Sequence, residues 1–222
     1  IDFGSTTLSS SGGAEIFVAK VSSSGSWEWA VKAGGSLWDG GASIAVDLNG
    51  NVFVTGKFES TASFGSTTLT SADGESSRDI FVAKLSNSGT WLWAVRAGGP
   101  SGDYGVGIAV DNTGNAFVTG DFKATANFGS TTLSSSGDAD IFVAKLSGSG
   151  SWIWATKAGG TSNDYGAEIV VDSNGNPLVT GSFESTATFG SSSVTSEGYS
   201  DIFISKLVLK YGQGNWHSVR PR

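Results

Sequence analysis

A unit of about sixty residues recurs almost four times along this chain, and that repetition constrains the fold more than any other feature. Phe-Gly followed by a Ser/Thr cluster stands at Phe3, Phe64, Phe128 and Phe189, with spacings of 61, 64 and 61 residues. The apolar run Ile-Phe-Val-Ala-Lys begins at Ile16, Ile80 and Ile141 and returns as Ile-Phe-Ile-Ser-Lys at Ile202, spaced by 64, 61 and 61. A period this long and regular marks an array of supersecondary units, none of which buries its apolar face alone.

The chain is long enough for one large all-β domain or two small ones. Gly and Ser are abundant and Pro is scarce, as expected for short strands joined by tight turns. The absence of cysteine excludes a disulfide framework, a thiolate metal site and thiol redox chemistry. The net charge of −7 is spread over single Asp and Glu residues, which argues against a nucleic-acid or anionic-membrane partner. No apolar stretch approaches the roughly 20 residues of a membrane helix. The chain starts at Ile1 without a Met or a signal-like segment, so a processed product or a fragment is expected.

The third copy shows how the unit folds. Gly107–Asp111 is a short apolar run closed by Asn112-Thr113-Gly114-Asn115, and Ala116–Phe122 follows, rich in aromatic and β-branched residues. The linking Asp-x-x-Gly-Asn recurs at Asp47–Asn51 and Asp172–Asn176; its Gly suits a left-handed turn position and predicts a hairpin. A third strand runs from Asp140 to Leu146 and a fourth from Trp152 to Lys157, closed by Gly159-Gly160. Alternation along a strand predicts both Trp of each Trp-x-Trp on one face. No apolar stripe of helical period is present.

Four antiparallel strands and a Gly-Gly link to the next unit are the plan of a β-propeller blade. The combination of I-A-V-D-x-x-G-N-x-F-V-T-G, D-I-F-V-A-K-L and W-x-W-A-V-x-A-G-G resembles the bacterial SBBP-type β-propeller repeats, over nearly the whole chain to about Leu209. The resemblance implies an all-β propeller of four-stranded blades, labelled A to D outward from the axis. It further implies an extracellular or cell-surface protein, and leaves the activity open. Roughly three and a half blades of about 61 residues are expected: a C/D half-blade in residues 1–35, then blades at about 36–99, 100–160 and 161–209. Residues 210–222 are expected to be an irregular tail or a degraded last strand. Few propellers close with under four blades, so self-association or membership of a longer chain is expected. Copy two needs 17 residues from Phe64 to Phe81 where the others need 14, and the extra three fall in Ser71–Arg78, a loop on the face shared by B–C and D–A connections.

The D–A connections carry the most suggestive polar set: Trp38 with Asp39, Asp103 with Tyr104, and Asp164 with Tyr165. An aromatic ring covering a pyranose face beside a carboxylate is a sugar-binding arrangement. The structural alternative has the Asp residues bonding loop N–H groups and the Tyr packing between blades. Asp47-x-Asn49-x-Asn51 and Asp172-x-Asn174-x-Asn176 offer oxygens at alternate positions, yet lack a downstream bidentate Glu and read as hairpin turns. The pairs Trp27/Trp29, Trp91/Trp93 and Trp152/Trp154 read as inter-sheet packing, with Trp91, Trp93, Trp152 and Trp154 largely buried. The stretch from Gly50 to Lys57 misses the phosphate-loop pattern, with Phe58 in the hydroxyl position. The lone histidine, His217, lies in the tail and no G-x-S-x-G elbow exists, so no Ser-His-Asp triad is expected on the blades. Glu168, four residues after Asp164, leaves a paired-carboxylate site open.

The sequence is therefore read as a non-catalytic extracellular or cell-surface propeller module, a scaffold or interaction surface for protein or glycan, with no cofactor, no metal and no membrane insertion. A lectin with repeated weak sites on the D–A face is the first alternative. A carbohydrate-active enzyme using Asp164 and Glu168 is the second.

Overall fold

The computed structural model describes residues 1–74, 77–210 and 213–217. Among them there is no α-helix, and strands dominate the fold. β1 (Asp2–Phe3) and β2 (Thr6–Thr7) form a short hairpin ahead of the first sheet, which holds β3 (Ile16–Val21) and β4 (Trp27–Ala33). The second sheet comprises β5 (Gly40–Val46), β6 (Val52–Glu59), β9 (Arg78–Leu85) and β10 (Trp91–Ala97), in that order. A hairpin of β7 (Thr61–Phe64) and β8 (Thr67–Thr70) interrupts it between β6 and β9. The third sheet runs β11 (Tyr104–Val110), β12 (Ala116–Phe128), β13 (Thr131–Leu146) and β14 (Trp152–Gly160), its hairpin being continuous with β12 and β13. The fourth runs β15 (Asp164–Val171), β16 (Pro177–Phe183), β19 (Asp201–Lys210) and β20 (Gln213–His217); the hairpin between β16 and β19, β17 (Thr186–Phe189) and β18 (Ser192–Thr195), instead extends the third sheet, β17 pairing with β14. All pairings within sheets are antiparallel, as four short strands joined by Asp-x-x-Gly-Asn and Ser-x-Ser-Gly turns require. The all-β architecture is consistent with a β-propeller. Within the tail, Gln213–His217 pairs along β19, with Trp216 opposite Leu207; residues 218–222 lie outside the described residues.

The sheets stack face to face in chain order, and strand alternation divides each repeat between two layers. On β9, Ile80 and Val82 face the third sheet while Phe81, Ala83 and Leu85 face the first. Three apolar layers result. Ile16 and Val18 pack on Val54, Phe58 and Phe81; Ile80 and Val82 on Phe122 and Phe142; Ile141 and Val143 on Phe183 and Phe203. Each buried Phe contributes about 1.5–3 kcal/mol by removal from water. The Phe at the same position of each hairpin adds an aromatic wedge: Phe3, Phe64, Phe128 and Phe189 meet Trp27, Trp91, Trp152 and Trp216 edge to face, at 4.9, 5.3, 5.3 and 5.4 Å between ring centres.

The Trp pairs depart from the expectation of a shared face. A β-bulge lies between Trp91 and Trp93, which stand opposite Leu85 and Lys84. The extra residue turns the two rings to opposite sides of the sheet. Trp91 joins the layer against the first sheet and its indole N–H donates to Lys32 O (3.2 Å); Trp93 joins the layer against the third and donates to Gly148 O (3.1 Å). One Trp-x-Trp thus serves two interfaces. Trp154 is buried, whereas Trp91, Trp93 and Trp152 are half-buried rather than largely buried.

Where the second strand of each unit turns into its hairpin, Ser60, Ala124 and Ser185 adopt φ of 60°, 52° and 59°. Left-handed backbone costs an L-residue roughly 1–2 kcal/mol. Ala124 is exposed, so Ala124→Gly loses no packing and is expected to stabilise by up to about 1 kcal/mol. Urea denaturation reads this directly; an unchanged or lower midpoint would contradict it.

Candidate functional site

The candidate residues of the D–A connections lie at one end of the stack, where each sheet hands over to the next. Asp39, Asp103 and Asp164 are buried there and spend both carboxylate oxygens on backbone N–H groups. Asp103 accepts from Gly99 N (2.8 Å) and Lys123 N (3.0 Å), Asp39 from Gly35 N (2.6 Å) and Glu59 N (3.1 Å), Asp164 from Gly160 N (2.7 Å) and Glu184 N (3.3 Å). Each carboxylate ties the Gly-Gly at the end of one sheet to the second strand of the next. The backbone N–H of Asp103 also donates to Arg78 O, and that of Asp39 to Ala14 O. These carboxylates are turned inward as loop anchors, so the Asp–aromatic pairs present only their rings to solvent.

The rings are not equivalent. Trp38 is 62% exposed on its loop and Tyr165 is 40% exposed at the head of β15. Tyr104 is half-buried: its hydroxyl accepts from Arg78 Nη1 (3.2 Å) and Lys57 Nζ lies 5.1 Å above its ring. Tyr104 stands opposite Asp121 across β11 and β12, and Tyr165 opposite Ser182 across β15 and β16. The structure therefore gathers Tyr104 with Lys57 and Arg78, and sets Trp38 and Tyr165 apart as exposed aromatics.

A second carboxylate series escaped the sequence reading. Asp79 and Asp140 are buried, and each salt-bridges a cation at 2.7 Å, Arg96 and Lys157 respectively. Each also accepts a backbone N–H, from Ala72 and Ser136 respectively. Their signal was the acidic residue directly before Ile-Phe, present as Glu15, Asp79, Asp140 and Asp201. The other oxygen of Asp79 and of Asp140 is buried without a protein partner beside Gly98 and Gly159, where Asp103 and Asp164 also approach. Burial pushes Asp103 up to about 7 against the opposing Gly99 and Lys123 N–H bonds, and the neighbouring Asp79 and Asp121 add to the rise. Asp164 reaches about 6 for the same reasons, with Asp140 and Glu184 as its acidic neighbours. Asp121 is itself pushed up to about 7 by burial, opposed by Lys123 and Lys57.

The Asp-x-Asn turns use their carboxylates locally. Asp47 Oδ1 accepts from Asn49 N and Asn51 N, with Asp111 and Asp172 repeating the pattern. In Asp111, burial is outweighed by the bonds from Asn115 and Thr113, which hold it at about 2. Among the described residues no group of three or more His, Cys, Asp or Glu is placed to hold a metal ion. Asp164 and Glu168 are not brought together: Asp164 is buried at the strand end, whereas Glu168 is exposed opposite Thr180, three positions further along β16. No helix among the described residues is long and apolar enough to cross a membrane.

Comparison with known proteins agrees with this architecture. Residues 92–121, from β10 through the D–A loop to β12, match the family model described as SBBP, beta-propeller repeat. A relative is the uncharacterized WD repeat-containing protein L264 of Acanthamoeba polyphaga mimivirus, 26% identical over 121 residues. That match spans 46% of this chain and only 9% of the relative's length.

Proposed function

We propose that this chain, whose residues 92–121 carry the SBBP beta-propeller repeat, is a repeat-protein interaction module. We take it to be a non-catalytic scaffold of about three and a half blades, acting outside the cell or at its surface. The observation that carries the reading is the division of labour at the D–A end. Asp39, Asp103 and Asp164 hold the loops rigid from within, while Trp38 and Tyr165 stand exposed on them, joined by the exposed Tyr199 of the β18–β19 loop. Rigid aromatics at low entropic cost are the usual anchors of protein interfaces. A catalyst needs one differentiated site, and the strongest carboxylates here repeat from unit to unit as loop anchors. Partners are expected to be protein or glycan surfaces, with no nucleic acid and no inserted membrane.

The same exposed rings support a lectin as the second reading, since Trp38 and Tyr165 are free to cover a sugar face. A glycan array, run with and without calcium, separates the two. One saturable sugar whose binding is lost in Tyr165→Ala makes the chain a lectin. Silence on the array, with cross-linked capture of a protein partner abolished by Trp38→Ala/Tyr165→Ala at unchanged melting temperature, supports the interaction module. Capture undiminished by the double substitution would remove the D–A face from the reading. Tyr104→Ala should behave differently from Tyr165→Ala, lowering stability by about 1–2 kcal/mol through lost packing and the lost Arg78 bond, against within about 0.5 kcal/mol for Tyr165. Thermal melts of the two variants check it, and equal losses would contradict it.

A further inference from the structure

Tyr104 and Tyr165 hold the same position in successive units, yet their electrostatic surroundings are opposite. Tyr104, where the second sheet meets the third, is served by cations of its own chain: Lys57 Nζ stands 5.1 Å over its ring and Arg78 Nη1 donates to its hydroxyl. Where the third sheet meets the fourth, Asp121 takes the place of Lys57 and Ala139 that of Arg78, as the matching pairs Lys57–Ile80 and Asp121–Ile141, Glu59–Arg78 and Lys123–Ala139 show. Alternation turns both residues toward the following sheet: Lys57 shares a strand face with Phe53, and Asp121 with Phe117, which packs in the layer of the fourth sheet. Two further carboxylates border Tyr165. Glu184 stands two residues beyond Ser182, the cross-strand partner of Tyr165, and its N–H donates to Asp164. Asp138 precedes Ala139, which bridges to Asn163. Burial foremost, then the charges of Asp121, Glu184 and Asp138, push the Tyr165 hydroxyl up, so all three act on this ring. Among the described residues none of the three carboxylates forms an ion pair or accepts a hydrogen bond, although Asp121 is only 7% exposed.

We propose, building on the interaction-module reading, that Tyr165 receives a lysine or arginine side chain from a segment of a partner protein, the cation lying over the ring and facing Asp121, Glu184 and Asp138. The chain itself identifies this occupant. One unit earlier the same Tyr carries a Lys and an Arg; here both are replaced, and the negative face of an exposed ring is bordered by unpaired carboxylates. A neutral sugar leaves the charge of the buried Asp121 uncompensated, whereas an ammonium or guanidinium compensates it. The net charge of −7 steers cationic segments toward the protein, and the Tyr165 site gives them a place to dock.

NMR titration at low ionic strength with an end-blocked tetralysine peptide, and with the same peptide acetylated on every side chain, tests the site. The variants are Asp121→Asn, Tyr165→Ala and, as a control for bulk charge, Asp73→Asn on an exposed loop of the second unit; cooperative thermal melts verify folding. The expected result is that tetralysine binds and shifts the Tyr165 ring resonances while the acetylated peptide does neither. Affinity should fall at least about tenfold in Asp121→Asn and Tyr165→Ala and stay within about twofold in Asp73→Asn. A pH series on the wild type needs no variant. Asp121, faced by Lys57, Lys123, Asp103 and Tyr165, sits at about 7, whereas ordinary exposed carboxylates are already charged by about pH 6. Affinity should therefore rise several-fold from pH 6 to 8. No binding at about millimolar peptide, equal weakening in Asp73→Asn, or affinity flat over that range would each overturn the cation site. Cross-linked capture that still requires Trp38 and Tyr165 would then keep the interaction module, so the two readings fail separately.

Discussion

Gly99→Ala is expected to destabilise the protein by about 3 kcal/mol or more, the upper end of what overpacking a filled site costs. Gly98 and Gly99 end the second sheet where the hairpin of the third crosses it. Gly98 exchanges hydrogen bonds with Asn127 in both directions (3.2 and 3.0 Å), and Gly99 N donates to the buried Asp103. A Cβ on Gly99 would fall on the carbonyl oxygen of Thr125, a backbone atom that no rotamer change moves aside. Gly35 and Gly160 meet Thr61 and Thr186 in the same way, so Gly160→Ala should behave alike. Gly114→Ala supplies the contrast. Its φ of 80° is left-handed but nothing lies within 4 Å, so only backbone strain of about 1–2 kcal/mol is expected. Urea denaturation of the three variants separates the cases; a loss at Gly99 no larger than at Gly114 would refute the close approach.

Stability should fall as pH rises from about 4 to 8, the reverse of a protein held by surface ion pairs. Asp103 and Asp121 sit at about 7 and Asp164 at about 6 in the folded chain, all above the ordinary carboxylate value of 3.8. Between the unfolded and folded values the native state binds more protons, so the stability these groups contribute is complete below about 4 and is lost as pH climbs through 6 to 7. One pH unit of displacement corresponds to about 1.4 kcal/mol, so the three groups together should lower the unfolding free energy by several kcal/mol at pH 8 relative to pH 4.5. Asp111, held at about 2, acts oppositely: its contribution is present above 3.8 and lost as pH falls toward 2. The maximum therefore belongs near pH 4–5. Asp103→Asn tests the assignment. The amide nitrogen cannot accept from the backbone, so one of the Gly99 and Lys123 bonds is lost and the variant is weaker than wild type at pH 4.5. The gap should narrow toward pH 8, where wild type carries the buried charge. Urea midpoints at half-unit pH intervals decide it, and wild-type stability that rises steadily from pH 4 to 7 would be incompatible with the buried-carboxylate account.

The strands, their order and their turns were legible because each rests on local chemistry repeated along the chain. Asp-x-x-Gly-Asn turns as expected, with Gly50, Gly114 and Gly175 at φ of 77°, 80° and 79°. The Trp-x-Trp faces were not legible, because alternation holds only while pairing is regular and the bulge after Trp91 depends on how β10 meets β9. The loop carboxylates lay between these cases. Their regular recurrence was visible, but an Asp that caps a backbone and an Asp that awaits a sugar have the same sequence signature. Asp79 and Asp140 were passed over because an acidic residue at the mouth of a strand reads as solvated, and its burial depends on the loop that folds over it.

What the sequence determined by itself was the repeat, its four-strand plan and its turns, since these follow from periodicity and local turn chemistry. The tertiary structure decided the direction in which polar side chains point. It turned Asp39, Asp103 and Asp164 inward onto Gly35, Glu59, Gly99, Lys123, Gly160 and Glu184, and left Trp38 and Tyr165 outside. It also turned the two rings of Trp91 and Trp93 to opposite layers of the stack. The physical reason is that a repeat specifies its own neighbours identically at every step, whereas burial and hydrogen-bond saturation depend on whether a neighbour is there.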